Sequence, residues 1–172
     1  DQPVKALLAT PWGDLYAGGD FATAGGEAAG KVAKWDGAAW SALGAGLNGN
    51  VNAMALSSIN NLYVAGDFTT AGGVNAAHVA LYDAGGWHAL GAGIGGSVKA
   101  LAVGPDGTLY AGGYFTAAGG ISANYIAIWN GAEWSAAGSG MNSWVNSLTL
   151  FPDGSIYAGG DFNTAGGVSA PH

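Results

Sequence analysis

Cysteine and arginine are absent from this 172-residue chain, and charged side chains of every kind make up only 9% of it. Without cysteine there is neither a disulfide framework nor a thiolate metal site. The only basic side chains besides histidine are Lys5, Lys31, Lys34 and Lys99, and the formal charge is −7. A nucleic-acid partner would need a basic stripe to displace counterions, and no such stripe exists. Attraction to an anionic membrane surface is disfavoured for the same reason. No apolar run approaches the roughly 20 residues of a membrane-spanning helix. Helical periodicity is missing too, because no apolar i, i+3, i+4, i+7 spacing persists for about a dozen residues without glycine. The three histidines, His78, His88 and His172, show no metalloprotease spacing. Zinc wants three or four convergent protein ligands, and no nucleophile elbow of the G-x-S-x-G type is present. The expectation is therefore no cofactor, no metal and no enzymatic activity.

Glycine and aromatics are plentiful: 33 Gly, seven Trp, seven Tyr and five Phe, with hydrophobic residues at 49%. High glycine alone could signal disorder, but disordered chains are poor in aromatics, and here the aromatics recur on a fixed step. The run Leu109–Phe115 (LYAGGYF) returns at Leu15–Phe21, Leu62–Phe68 and Ile156–Phe162, always 47 residues apart. Val4, Val51, Val98 and Val145 keep the same step. The chain is one repeat domain, residues 1–172, divided into units 4–50, 51–97, 98–144 and a partial unit 145–172.

Residues 98–144 illustrate one unit. Val98–Val103 is aliphatic and free of breakers, which suits a buried inner strand. Gly104-Pro105-Asp106-Gly107 is a tight turn, and Pro152-Asp153-Gly154 repeats it. Thr108–Phe115 is the second strand, with Leu109 and Tyr110 on opposite faces. The pair Gly112-Gly113 permits close approach of backbone or a large ring, or a bulge. Tyr125–Trp129 alternates as a third strand, Asn130-Gly131 is a hairpin turn, and Trp134–Ala137 is a short outer strand. Four short antiparallel strands per 47 residues is the signature of a β-propeller blade, so the fold expected is all-β.

The order of LYAGG, a loop, [VI]-A-x-[WY]-[DN], a turn and W-x-A-[LA] resembles the kelch-type propeller repeat. More narrowly, G-[DY]-F-x-[TA]-A-G-G followed by these motifs is similar to propeller repeats of secreted or surface proteins of bacteria. The resemblance implies kelch-like four-stranded blades, three full and one half, and a protein-binding role at or outside the cell surface. Trp35, Tyr82 and Trp129 share one repeat position and Trp40, Trp87 and Trp134 another. Recurrent rings of this kind are expected in the core between blades. Asp1-Gln2-Pro3 leads directly into a strand, so the start is expected to be a processed end or the edge of a larger chain, and the c and d strands of the last unit would lie beyond His172. The expectation is a longer chain with further blades, or association of copies through open edges, or a small incomplete ring.

Asp20, Asp67 and Asp161 occupy one repeat position, where the third unit has Tyr114. They are expected to accept backbone N–H bonds from their own glycine-rich loops rather than to form a Ca²⁺ ring. More informative are positions where the units disagree. Lys31, His78, Tyr125 and His172 precede the third strand, and Asn50, Ser97 and Trp144 precede the first. Both connections emerge on one face of a propeller. The candidate ligand rim is therefore Lys31, Asn50, His78, Tyr125, Asn142 and Trp144. Trp12, on the opposite face, is a second unexplained aromatic. The expected function is a non-enzymatic extracellular or cell-surface scaffold that binds a protein partner or copies of itself. The alternative is a carbohydrate-binding module whose rim aromatics stack on sugar rings.

Overall fold

A computed structural model describes residues 2–170, and His172 lies outside the described residues. The first unit contains β1 (Val4–Ala9), β2 (Leu15–Gly19), β3 (Thr23–Ala24), β4 (Glu27–Ala28), β5 (Val32–Trp35) and β6 (Trp40–Ala42). The second contains β7 (Val51–Leu56), β8 (Leu62–Gly66), β9 (Thr70–Ala71), β10 (Val74–Asn75), β11 (Val79–Asp83) and β12 (Gly86–Ala89). The third contains β13 (Ser97–Val103), β14 (Leu109–Tyr114), β15 (Ala117–Ala118), β16 (Ile121–Ser122), β17 (Ile126–Trp129) and β18 (Trp134–Ala136). Then follow β19 (Val145–Leu150), β20 (Ile156–Gly160), β21 (Thr164–Ala165) and β22 (Val168–Ser169). Three four-stranded sheets, ordered β1-β2-β5-β6, β7-β8-β11-β12 and β13-β14-β17-β18, form antiparallel meanders. These are the blades, and the fold is an all-β propeller.

Each unit holds one element more than the four strands read from the sequence. The Ala-Gly-Gly segment makes a two-residue hairpin of its own, β3–β4, β9–β10, β15–β16 and β21–β22. Both central glycines take positive φ, +60° and +84° at Gly119 and Gly120, as a two-residue primed turn requires. The small hairpin latches its blade to the one before. Gly72 N donates to Gly46 O at 2.7 Å, Gly119 N to Gly93 O at 2.7 Å and Gly166 N to Gly140 O at 2.8 Å.

The core sits between blades. One buried cluster joins Val32, Leu43 and Leu47 of the first blade to Val51, Leu62, Val64, Phe68 and Trp87 of the second. Another joins Tyr63, Val79, Leu90 and Ile94 of the second to Val98, Leu109, Phe115 and Trp134 of the third. The inner strands of the second and third blades alternate between buried residues and half-buried or exposed ones along their length instead of being buried throughout. Their alternates point to the other face of the strand, where Met54, Leu56, Leu101 and Val103 pack half-buried at the edges of the same clusters.

Of the recurrent aromatics, Trp87, Trp129 and Trp134 are buried as their position implied, whereas Tyr82 and the first-blade pair Trp35 and Trp40 are only half-buried. Trp87 and Trp134 are buried, and each indole N–H donates back one blade, to Leu43 O at 2.9 Å and Leu90 O at 2.8 Å. Their cross-strand partners Tyr82 and Trp129 meet them at ring centroid distances of 4.9 and 5.4 Å.

Candidate functional site

The four inner strands share a bulge, between Val4 and Ala6, Val51 and Ala53, Val98 and Ala100, and Val145 and Ser147. The extra residues are Lys5, Asn52, Lys99 and Asn146. A bulge re-aims the side chain it inserts, and here it carries polar groups to the face where the b–c and d–a connections meet. Asn52 Nδ2 donates to Val98 O at 3.0 Å and to Asp67 Oδ2 at 3.3 Å. Asn146 Nδ2 makes a long contact of 3.4 Å with Asp161 Oδ2.

The aspartates of this face do not bond the backbone of their own loops, contrary to the sequence reading. Those N–H groups are already taken: Asp20 N donates to Pro3 O, Gly19 N to Lys31 O, Asp67 N to Asn50 O and Asp161 N to Trp144 O. The carboxylates are left to accept from side chains. Asp20 receives Lys31 Nζ at 2.8 Å. With its amide oriented to satisfy both neighbours, Asn50 donates to the same carboxylate at 2.6 Å and accepts from Lys5 Nζ at 3.2 Å. Asp67 accepts from Ser97 Oγ as well as Asn52. Burial pushes the Asp67 carboxyl up, but the hydrogen bonds of Ser97 and Asn52 and the charges of Lys99 and Lys5 outweigh it. The net pKa lies below the ordinary carboxylate value. Among the described residues no group of three His, Cys, Asp or Glu side chains is placed to hold a metal ion.

The six rim candidates separate into distinct arrangements. Lys31 and Asn50 converge on Asp20. His78 Nδ1 lies 2.8 Å from Ile94 O, within its own blade. Tyr125 and Asn142 line one open cavity of about 390 Å³, together with Asn124 and Thr164. Asn142 also binds the small hairpin of the next unit: its Oδ1 accepts from Asn163 N and Thr164 N at 3.0 Å, and Nδ2 donates to Asn163 Oδ1 at 2.7 Å. Asn48 does the same for Thr69 and Thr70. Lys31, His78 and Tyr125 all have left-handed backbones, with φ of 76°, 64° and 63°. Each turns the chain from the small hairpin into the third strand. Trp144 meets Tyr114 at a tilt of 58° with centroids 4.7 Å apart, and the two remain 43% and 54% exposed. Trp12, at the opposite end of the first blade, donates its indole N–H to Asp14 Oδ2 at 3.0 Å.

A repeat comparison explains the aromatic pair. Asp20 meets Asn50 within the unit 4–50, and Asp67 meets Ser97 within the unit 51–97. The same two positions one step further hold Tyr114 and Trp144. Both members of a polar couple have been exchanged for rings that contact each other. The sequence reading singled out Trp144 but gave Tyr114 no role, because the pairing crosses 30 residues of chain.

A second concavity involves none of the rim candidates. An open cleft of about 730 Å³ runs between the first two blades, at the a–b and c–d turns. Tyr16, Lys34 and Ser41 line it from the first blade, and Asn60, Asn61, Tyr82, Asp83 and His88 from the second. Lys34 Nζ pairs with Asp14 Oδ2 at 2.6 Å and stands 5.9 Å from the centroid of the Tyr16 ring. The Asp14 hydrogen bond raises the Lys34 pKa above its ordinary value, and burial raises that of Tyr16. His88 Nε2 lies 2.9 Å from Asp83 Oδ1, which also accepts from Gly85 N at 2.7 Å. Those contacts hold the Asp83 carboxyl below the usual range, the backbone bond first and His88 next. A signal was available, since Lys34 stands where the other blades have Leu81 and Ile128, and His88 where they have Ser41 and Ser135.

Blades with antiparallel a-b-c-d order, cores between them and latched small hairpins define a β-propeller repeat domain. Such domains serve in general as scaffolds for protein interaction. Residues 2–139 match the family described as the Rax2 C-terminal beta propeller domain, and the chain belongs to that family. Residues 152–172 match a second β-propeller family, described as a domain of unknown function (DUF5122). No curated protein matches the chain.

Proposed function

We propose that this propeller is a non-enzymatic, kelch-like scaffold at or outside the cell surface that binds a protein partner through the Tyr114–Trp144 face. The observation that carries the reading is the exposed aromatic pair, set in a polar rim where neighbouring blades place an aspartate with an asparagine or serine. Rigid, partly exposed Trp and Tyr side chains are favoured anchors in protein interfaces. The Asp67 and Asp161 carboxylates on either side of them suit a partner that offers basic groups. The charge of −7 acts in the same direction. A second copy of the chain is the competing partner.

The test is the double exchange Tyr114→Asp with Trp144→Ser, which installs the pair that the second unit already uses. Proximity labelling in the source cells, with the label fused to either form, reads the neighbouring proteins. The reading expects a surface protein that labels with the native form and disappears with the variant. An identical protein set for both forms overturns it. Native mass across a hundredfold range of concentration separates a foreign partner from self-association.

A further inference from the structure

We propose that the cleft between the first and second blades is a binding site for a neutral sugar, independent of the partner-binding face. Its volume of about 730 Å³ falls in the roughly 300–1,000 Å³ range of small-molecule sites. The antiparallel order of the blades puts the a–b and c–d turns at the opposite end from the b–c and d–a connections. The cleft and the Tyr114–Trp144 face are therefore separate surfaces.

The charge pattern selects the ligand. Lys34 already holds Asp14 and His88 already holds Asp83. An incoming phosphate or carboxylate would meet an aspartate beside Lys34 and another beside His88. A neutral polyol faces no such repulsion, since it can donate to the carboxylates and accept from Lys34, His88 and the amides of Asn60 and Asn61. Hydrogen bonds to charged partners are the stronger kind. Tyr16 and Tyr82 add ring surface with polar tips, which suits a ligand that is apolar on its C–H faces and polar at its edges.

Blades built on one pattern keep residues alike where packing requires it. At Lys34 and His88 the other blades carry Leu81 and Ile128, and Ser41 and Ser135. Packing therefore demands neither a lysine nor a histidine at these positions, and both departures open onto the same cleft.

The experiment titrates the full chain with glucose, galactose, mannose and N-acetylglucosamine, as monosaccharides and disaccharides, followed by amide nuclear magnetic resonance. At least one of them is expected to move the signals of Asn60, Asn61, Gly85 and His88 and to leave those of Tyr114 and Trp144 in place. The double variant Lys34→Leu with His88→Ser uses residues that other blades carry at these positions. It should hold its melting temperature and lose at least about tenfold in affinity. Should it unfold, Tyr16→Phe keeps the ring, removes one hydroxyl and should also weaken binding. Three outcomes overturn the proposal: no neutral sugar moves the cleft signals, folded variants bind as tightly as the native chain, or glucuronate binds where neutral sugars do not. None of these outcomes bears on the partner-binding face, whose test uses other residues.

Discussion

Single glycines decide how closely this chain can pack. The doublet in LYAGG was legible as a site of close approach or of a bulge, and the structure uses one glycine for each. A Cβ at Gly112 would come within 2.5 Å of Val145 Cγ1 on the next inner strand. One at Gly113 would strike the backbone of Ser97 and Val98, opposite the bulge. Gly112→Ala should therefore cost about 1–3 kcal/mol by overpacking, read as a lower urea midpoint at unchanged slope. An unchanged midpoint would mean that the inner strands yield easily. Asp67 makes a second prediction at this scale. Its folded pKa is depressed, so its contribution to stability is complete above the unfolded carboxylate value and fades as pH falls through the folded one. Asp67→Asn should flatten the fall in stability between neutral pH and about pH 3 relative to the native chain. Equal slopes for the two proteins would contradict that assignment.

Elements were read well where side-chain alternation or turn chemistry carries the signal. The a-b-c-d order, the Pro-Asp-Gly turn and the Asn-Gly turn all stand as read. Asp106 Oδ1 accepts from Thr108 N at 3.0 Å, and Asn130 Oδ1 from Ala132 N and Glu133 N at 2.9 Å. The small hairpins were not read, because two-residue strands have no periodicity to detect. Their existence depends on the preceding blade, whose carbonyls they bind. The third and fourth strands bring each aromatic pair together, and the indole N–H then ties blade to blade. Trp134→Phe retains most of the buried ring and removes only the bond to Leu90 O, which should cost about 1 kcal/mol. Trp134→Ala should cost about 3–5 kcal/mol. Thermal or urea unfolding checks both, and equal costs for the two changes would show that the N–H bond dominates over the ring.

At the scale of the whole molecule, stability lies in the seams. The second blade contributes to both principal clusters, whereas the first blade has an open leading face, with Val4 and Leu7 exposed. Val51, Val98 and Val145, at the repeat position of Val4, are fully buried. Hydrogen exchange should therefore be slowest in β8 and β11 and faster in β1, β2 and β20. Uniform protection across the blades would show instead that the repeats open only together. The charge of −7 is spread thinly, so it bears on association and solubility more than on fold.

By itself the sequence determined the repeat length, the blade strands and the turns, because these follow from local alternation, turn chemistry and a period that imposes equivalent contacts; which recurrent aromatics are fully buried depended on a blade packed on each side. Tertiary structure alone decided which divergent residues meet. Tyr114 reaches Trp144 across 30 positions, and Lys34 and His88 come to line one cleft from two blades. It also moved the aspartates from backbone to side-chain partners, since competition for backbone donors is settled only when neighbouring strands take them. Packing between blades converts positions distant in sequence into neighbours, and no one-dimensional pattern records that distance.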